Sequence, residues 1–184
     1  MTAKMQQEQR RSALEAFLAG VERRALVMTQ LSCGDPDQAQ DLLQDAMAAF
    51  VRAYANKPET DWPPLFHRTL QNRIRDHHRR RAVRRRHLFS FSPEQDEDNP
   101  LENLPGRASE GPEQRLQLAD ASEALVQGLA RLPPRQRQAV LLRIWEGLDL
   151  AQTAQVMGCS GGSVKTHLSR ALQTLRAKLA EHWQ

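Results

Sequence analysis

Cysteine is nearly missing from this 184-residue chain, which has only Cys33 and Cys159. Two thiols so far apart in sequence argue against a disulfide framework and against a cysteine zinc site, and predict buried or inert thiols. Long apolar runs are missing too. Nowhere do eighteen apolar residues follow one another, so no membrane insertion is expected. The opening MTAKMQQEQRRSALEAF lacks the apolar core of a signal peptide, which leaves the cytoplasm as the expected location. Alternating Val, Ile, Thr and Tyr runs are absent as well, and Ala, Leu, Gln, Arg and Glu dominate. Helix formers without strand patterning predict an all-α fold. With no internal repeat, a solenoid is not supported.

What the chain does have is charge in blocks. The net charge is +4. Residues 1–87 carry a net +6, residues 88–113 a net −6, and residues 114–184 a net +4. Two basic blocks around an acidic connector predict two surfaces that meet polyanions. The connector, SFSPEQDEDNPLENLPGRASEGPEQ, holds four prolines and two glycines and has almost no apolar period. It reads as an exposed, flexible linker over 90–114 between helical domains at 1–89 and 115–184. Its length would span on the order of 25–30 Å as a free coil.

In the first block, apolar residues recur at Leu14, Phe17, Leu18, Val21, Ala25 and Met28, a helical period. Gly34 and Pro36 break it. The period resumes through Leu42, Leu43, Ala46, Met47, Phe50 and Tyr54, with Asp41, Gln44 and Asp45 on the other side. Pro64 is placed to start a third helix. That helix has Leu65, Phe66, Leu70 and Ile74 on one stripe, and nine arginines lie between Arg68 and Arg86 with Asp76 as the only acid. Such density repels itself unless it meets an anion, which points to nucleic acid. Trp62 and Phe66 are candidate stacking faces for an unpaired base, with burial in the core as the alternative. Asn72 has the donor–acceptor pair suited to a base edge. His77 and His78 are adjacent, so they point about 100° apart on a helix and make a poor metal pair.

The second block ends in LDLAQTAQVMGCSGGSVKTHLSRALQTL. Ala154 suits a close approach of two helices, and Gly158 permits the positive φ of a tight inter-helix turn. Ser160 can cap the second helix, and Val164 plugs between the two. Helix, short turn, helix is the arrangement that places a second helix in a DNA major groove. On that helix Val164, Leu168, Ala171, Leu172, Leu175 and Leu179 form the inward stripe. Ser163, Lys165, Thr166, His167, Ser169, Arg170, Gln173 and Arg176 face outward. Gly161 and Gly162 open the helix with no side chain to hold its positive N-terminus away from a phosphate. Lys and Arg can pair with guanine edges or phosphates, and Ser, Thr and His can donate to bases or backbone.

These two blocks, in this order, resemble a bacterial sigma-70 family sigma factor of the small, two-domain extracytoplasmic-function (ECF) group. DQAQDLLQDAMAAFVRAY resembles the family helix that holds the clamp of the RNA polymerase largest subunit. LFHRTLQNRIRDHHRR resembles the helix that melts and reads the −10 element. LPPRQRQAVLLRIWEGLDLAQTAQVMGCSGGSVKTHLSRALQTLRAKL resembles the −35 domain, and its leading LPPRQR and trailing SRALQTLR make that match specific. By position, the resemblance implies polymerase contact for Asp41, Leu42, Gln44 and Asp45. It implies the −10 strand for Arg68, Asn72, Arg75, Asp76, Arg79 and Arg80, and −35 DNA for the outward residues of 161–170.

The chain departs from the family pattern in two places. The family often has Trp-Leu where Pro64-Leu65 stands here, with Trp62 just upstream. Thr153 stands where an apolar residue usually packs, which implies a small loss of burial. The likeness further implies no catalysis, no cofactor or metal, docking on core RNA polymerase including the flap of the second-largest subunit, and binding to promoter DNA. It also implies a linker that threads toward the polymerase channel and control by an anti-sigma factor. Two rivals stay open on the residues alone. One is an autonomous helix-turn-helix regulator that needs no polymerase. The other is a metal-dependent nuclease using Asp41, Asp45 and Asp76.

Overall fold

The computed structural model describes residues 3–88 and 123–180, and all regular structure among them is helical. The chain divides into two compact units, Met1–Asp96 and Glu97–Gln184. The linker expected at 90–114 lies outside the described residues.

The first unit is built from three helices. Helix α1 (Ala3–Cys33) turns Leu14, Val21, Ala25, Met28 and Leu31 inward, a spacing of three, four and seven. Gly34 ends it with φ 79° and donates to the Gln30 carbonyl at 2.9 Å. Helix α2 (Pro36–Tyr54) starts immediately. Asp35 caps it by accepting from the Gln38 N–H at 3.1 Å, and Pro36 sits where no N–H is needed. A 3-10 turn at Glu59–Asp61 leads into α3 (Trp62–Leu88). This helix begins two residues before Pro64. Pro63 and Pro64 both fall in its first turn, where the missing N–H groups have no helical partner anyway.

Aromatic residues make up only 5% of the chain, and five of them meet in this unit. Phe17 touches Phe50, Trp62 and Phe66 at centroid distances of 5.6–5.9 Å, and Phe66 stands edge-on to both Phe17 and Phe50. Edge-to-face pairs of this kind contribute about 0.5–1.5 kcal/mol beyond their buried area. The cluster ties all three helices together.

In the second unit, α4 (123–131) is followed by Pro133 and by α5 (Pro134–Val140), which opens on its proline. The chain then widens into one π-helical turn, Leu141–Trp145, with the Glu146 N–H on the Leu141 carbonyl at 2.9 Å. Helix α6 (Leu150–Met157) opens with a capping box: Asp149 accepts from Gln152 N–H at 2.8 Å while the Gln152 amide accepts in return at 3.0 Å. It ends at Gly158, φ 62°, the left-handed position the inter-helix turn requires. Helix α7 (Gly161–Ala180) follows after Ser160. Val164, Ala171 and Leu175 bury its inner face. Gly128 lets α4 approach α7, since a Cβ there would lie 3.0 Å from Leu175 Cδ2. Thr153 is fully buried, which corrects the expected loss of burial at that place. Its hydroxyl donates to the Asp149 carbonyl at 2.7 Å, so the polar atom is satisfied inside the core.

Candidate nucleic-acid interface

Three outward faces carry the residues singled out in the sequence. On α7, Lys165, Thr166, Ser169 and Arg170 are exposed, and Ser163 and His167 are half-buried beside them. Ser160 accepts the Ser163 N–H at 3.1 Å, so the helix start is capped as its residues predict. Gly161 faces Leu150, and a Cβ there would make ordinary contact with Leu150 Cδ2 at 3.4 Å. Gly162 is different. It is exposed, and an added Cβ would meet only Ser160 Oγ at 3.8 Å. Nothing inside the unit requires Gly162 to lack a side chain.

On α3, Arg68, Asn72, Arg75, Arg79 and Arg80 are exposed and Asp76 is half-buried. Arg75 Nη2 donates to the Asn72 amide oxygen at 2.8 Å, which leaves the Asn72 NH₂ as a donor. Arg79 makes a loose ion pair with Asp76 at 3.8 Å. Beyond Ile74 the stripe that faces the core gives way to polar residues, with half-buried His77 and exposed Arg81 in the next positions. Burial, then Arg81 and Arg84, hold His77 below the usual imidazole range, so it is neutral at pH 7.

Trp62 and Phe66 require correction as stacking candidates. They are 1% and 0% exposed, packed against Phe17 within the first unit's core. They share one face of α3 with Leu70 and Ile74 at intervals of four, and that shared face is the core face. Trp62 Nε1 has no hydrogen-bond partner among the described residues. On α2, Asp41, Gln44 and Asp45 are exposed on one side, whereas Leu42 is in the core at 8% exposure. The polymerase-contact expectation for Leu42 therefore loses its accessible side chain. Asp37 is exposed four residues before Asp41 and extends the same acidic stripe. That i, i+4 spacing was readable in the sequence. Asp41, Asp45 and Asp76 do not assemble: among the described residues no three His, Cys, Asp or Glu side chains form a metal-holding group.

Four arginines that composition alone had counted toward DNA turn out to hold the fold. Arg135 Nη1 donates to the Met157 carbonyl at 2.6 Å, closing the end of α6. Arg137 Nη1 donates to the Ala130 carbonyl at 2.9 Å, and burial pushes its guanidinium below the usual range. Arg143 donates to the Leu148 carbonyl across the wide turn. In the first unit Arg10 donates to the carbonyls of Ala55, at 2.8 Å, and Lys57, pinning the turn before α3 to α1. A cation over free carbonyls at a helix C-terminus is favourable. The LPPRQR stretch thus has a mechanical meaning: a proline to start α5 and two arginines to clamp α4 and α6.

A capped, glycine-turned helix pair with a polar, cationic second helix defines a DNA-binding helix-turn-helix protein. Comparison with known proteins makes the class narrower. The family model for sigma-70, region 4, matches residues 122–175. The RNA polymerase sigma-E factor of Streptomyces antibioticus is 34% identical over 146 residues, covering 79% of this chain and 72% of that protein. The ECF RNA polymerase sigma factor SigD of Mycobacterium tuberculosis is 38% identical over 82 residues, covering 44% of this chain and 39% of that protein. In fold, the chain is similar to the sigma factor RpoE in complex with the anti-sigma factor NepR from Bartonella quintana. The TM-score is 0.64 at 22% identity, over 97% of this chain and 98% of that one. CnrH in complex with the cytosolic domain of CnrY gives a TM-score of 0.56 at 20% identity, over 93% and 90%. The chain belongs to the RNA polymerase sigma factor family, in its ECF group. Its function is promoter-directed initiation of transcription, with core polymerase and promoter DNA as its partners.

Proposed function

We propose that the two cationic helices share the promoter between them: α7 reads the −35 element and the outward face of α3 reads the −10 strand. The observation that carries this is the accessible row Lys165, Thr166, Ser169 and Arg170 on a helix whose opposite side is locked by Val164, Ala171 and Leu175. A rigid inner face means that the outer side chains are presented at fixed angles, as base reading requires. Gly162 leaves the α7 N-terminus open to a phosphate. On α3, the Asn72 amide supplies base-edge donors, and Arg68, Arg75 and Arg79 supply phosphate contacts. The core positions of Trp62 and Phe66 leave this reading to polar groups.

The acidic stripe Asp37, Asp41 and Asp45 on α2 is the polymerase-facing surface. Its charge is opposite to that of α3, so one face avoids nucleic acid while the other attracts it. The chain has no catalysis of its own. It works in the cytoplasm, and among the described residues no helix is long and apolar enough to cross a membrane. An anti-sigma factor controls it, in line with the NepR and CnrY complexes of its structural neighbours.

Run-off transcription with core polymerase tests the whole reading. The chain should produce defined transcripts that the core alone does not. Binding to DNA without any effect on core polymerase would leave an autonomous regulator instead. Asp45→Arg should weaken core-polymerase binding while leaving the fold intact, and unchanged affinity would take that residue out of the interface.

A further inference from the structure

Thr166 stands at the middle of the outward face of α7. At about 100° per residue it lies roughly 160° around the helix from the mean direction of Val164, Ala171 and Leu175, the residues that bury its inner face. Gly162 and Arg170, one turn before and one turn after, lie about 40° to either side, and Ser163 and Ser169 about 60°. Lys165 is about 100° away, toward the flank. The centre of the face is therefore small and uncharged, with the two cations set off from it. Thr166 also falls in the first third of this 20-residue helix, the end that meets base edges in a helix-turn-helix.

What this side chain can offer a base is decided by its own helix. The Thr166 hydroxyl donates to the Gly162 carbonyl one turn back at 3.0 Å. Its donor proton is thereby occupied, and the oxygen lies along the helix. The Cβ carries one other group, a methyl. Thr166 is exposed, and Gly162 has no side chain to cover the surface on that side. Ser163 is occupied in a similar way, since its hydroxyl pairs with Ser160 Oγ at 3.0 Å. Two hydroxyls that composition offers to DNA as donors are thus already paired inside the unit.

From this geometry we infer that Thr166 reads its base through the methyl group, and that the group it packs on is the C5-methyl of a thymine in the −35 duplex. Thymine alone presents a methyl in the major groove; the other bases present amino groups or acceptors there, which gain nothing from an apolar neighbour. The inference rests on the −35 reading above. It changes Thr166 from a hydrogen-bond donor into the selector of one T·A pair, with Arg170 beside it free for a guanine edge or a phosphate.

The test uses the full chain bound to core polymerase and duplexes carrying a −35 element mapped from its own run-off transcripts. Each thymine of either strand is replaced in turn by deoxyuridine, which removes the methyl and keeps every hydrogen-bonding group. One position should lose affinity about fourfold, as expected for one methyl group no longer taken from water. Thr166→Ser keeps the hydroxyl and removes the methyl, so it should bind thymine and uracil equally at that position. Thr166→Val should restore the preference for thymine. Circular dichroism should show both variants folded. An element without thymine, no position sensitive to uracil, or a Thr166→Ser chain that still prefers thymine would overturn the inference. So would loss of the preference in Thr166→Val, which would make the hydroxyl the reading group. Lys165→Ala with Arg170→Ala separates the two levels of the account. If that variant loses −35 affinity while no uracil position matters, the thymine inference alone fails. If it loses none, the −35 reading fails and the thymine inference with it.

Discussion

Residues 1–87 and 114–184 both carry an excess of Lys and Arg, yet the side chains are used differently. In α3, Arg68, Arg75, Arg79, Arg80 and Arg84 stand in solvent, with one loose ion pair among them. In the second unit, Arg135, Arg137 and Arg143 each reach a backbone carbonyl, and the cationic surface that remains on the reading helix is Lys165, Arg170 and Arg176. The first unit offers a dense, shallow field suited to a phosphate chain. The second offers a few charges on a helix braced from behind. Net charge of similar sign therefore says little about how many cations are available to a partner; that depends on which carbonyls lack helical donors.

The largest effect should come from the aromatic cluster. Phe66→Ala should destabilise the first unit by about 3–5 kcal/mol in urea or thermal unfolding. A stacking residue on the surface would leave stability nearly unchanged, so a small loss would restore Phe66 to the DNA face. Next come the arginines themselves. Arg137→Ala should cost about 1.5–3 kcal/mol of the second unit's stability, because a charged donor to a helix-end carbonyl is removed. Arg79→Ala should stay within about 0.5 kcal/mol and lower DNA affinity instead. Equal stability effects would erase the contrast between the units.

A smaller and purely functional effect should follow Lys165→Ala with Arg170→Ala. Affinity for −35 DNA should drop with the salt slope reduced by about 1.8 if both meet phosphates, while core-polymerase binding holds. A loss of polymerase binding as well would mean misfolding. The smallest effect is expected at Gly162→Ala. Stability should be unchanged or higher by up to about 1 kcal/mol, since alanine favours helix. DNA affinity should nevertheless fall, because the added methyl group stands at the open helix start. Unaltered affinity would mean that no phosphate approaches there.

Periodicity alone was enough to foresee most of the helices, because Leu70 and Ile74, or Val164, Ala171 and Leu175, repeat at intervals only a helix can bury. The helix-turn-helix was equally readable, since Gly158 and Ser160 are residue types with few other reasons to stand where they do. Trp62 and Phe66 were ambiguous for a physical reason. A large aromatic suits a core and a base stack alike, and only the third dimension shows Phe17 and Phe50 waiting for them. Arg135, Arg137 and Arg10 were hidden for another. Their partners are carbonyls 22, 7 and 45 residues away, and a carbonyl leaves no mark in the sequence.

The central claim is that separate outward faces, one per unit, meet separate promoter elements. Footprinting of core polymerase loaded with this chain measures it directly, with protection of the −35 duplex and permanganate reactivity of melted thymines read on one DNA. Lys165→Ala with Arg170→Ala should erase upstream protection, and Arg75→Ala with Arg79→Ala should erase thymine reactivity, each leaving the other signal in place when polymerase and DNA are saturating. Loss of the same signal in both variants would contradict it.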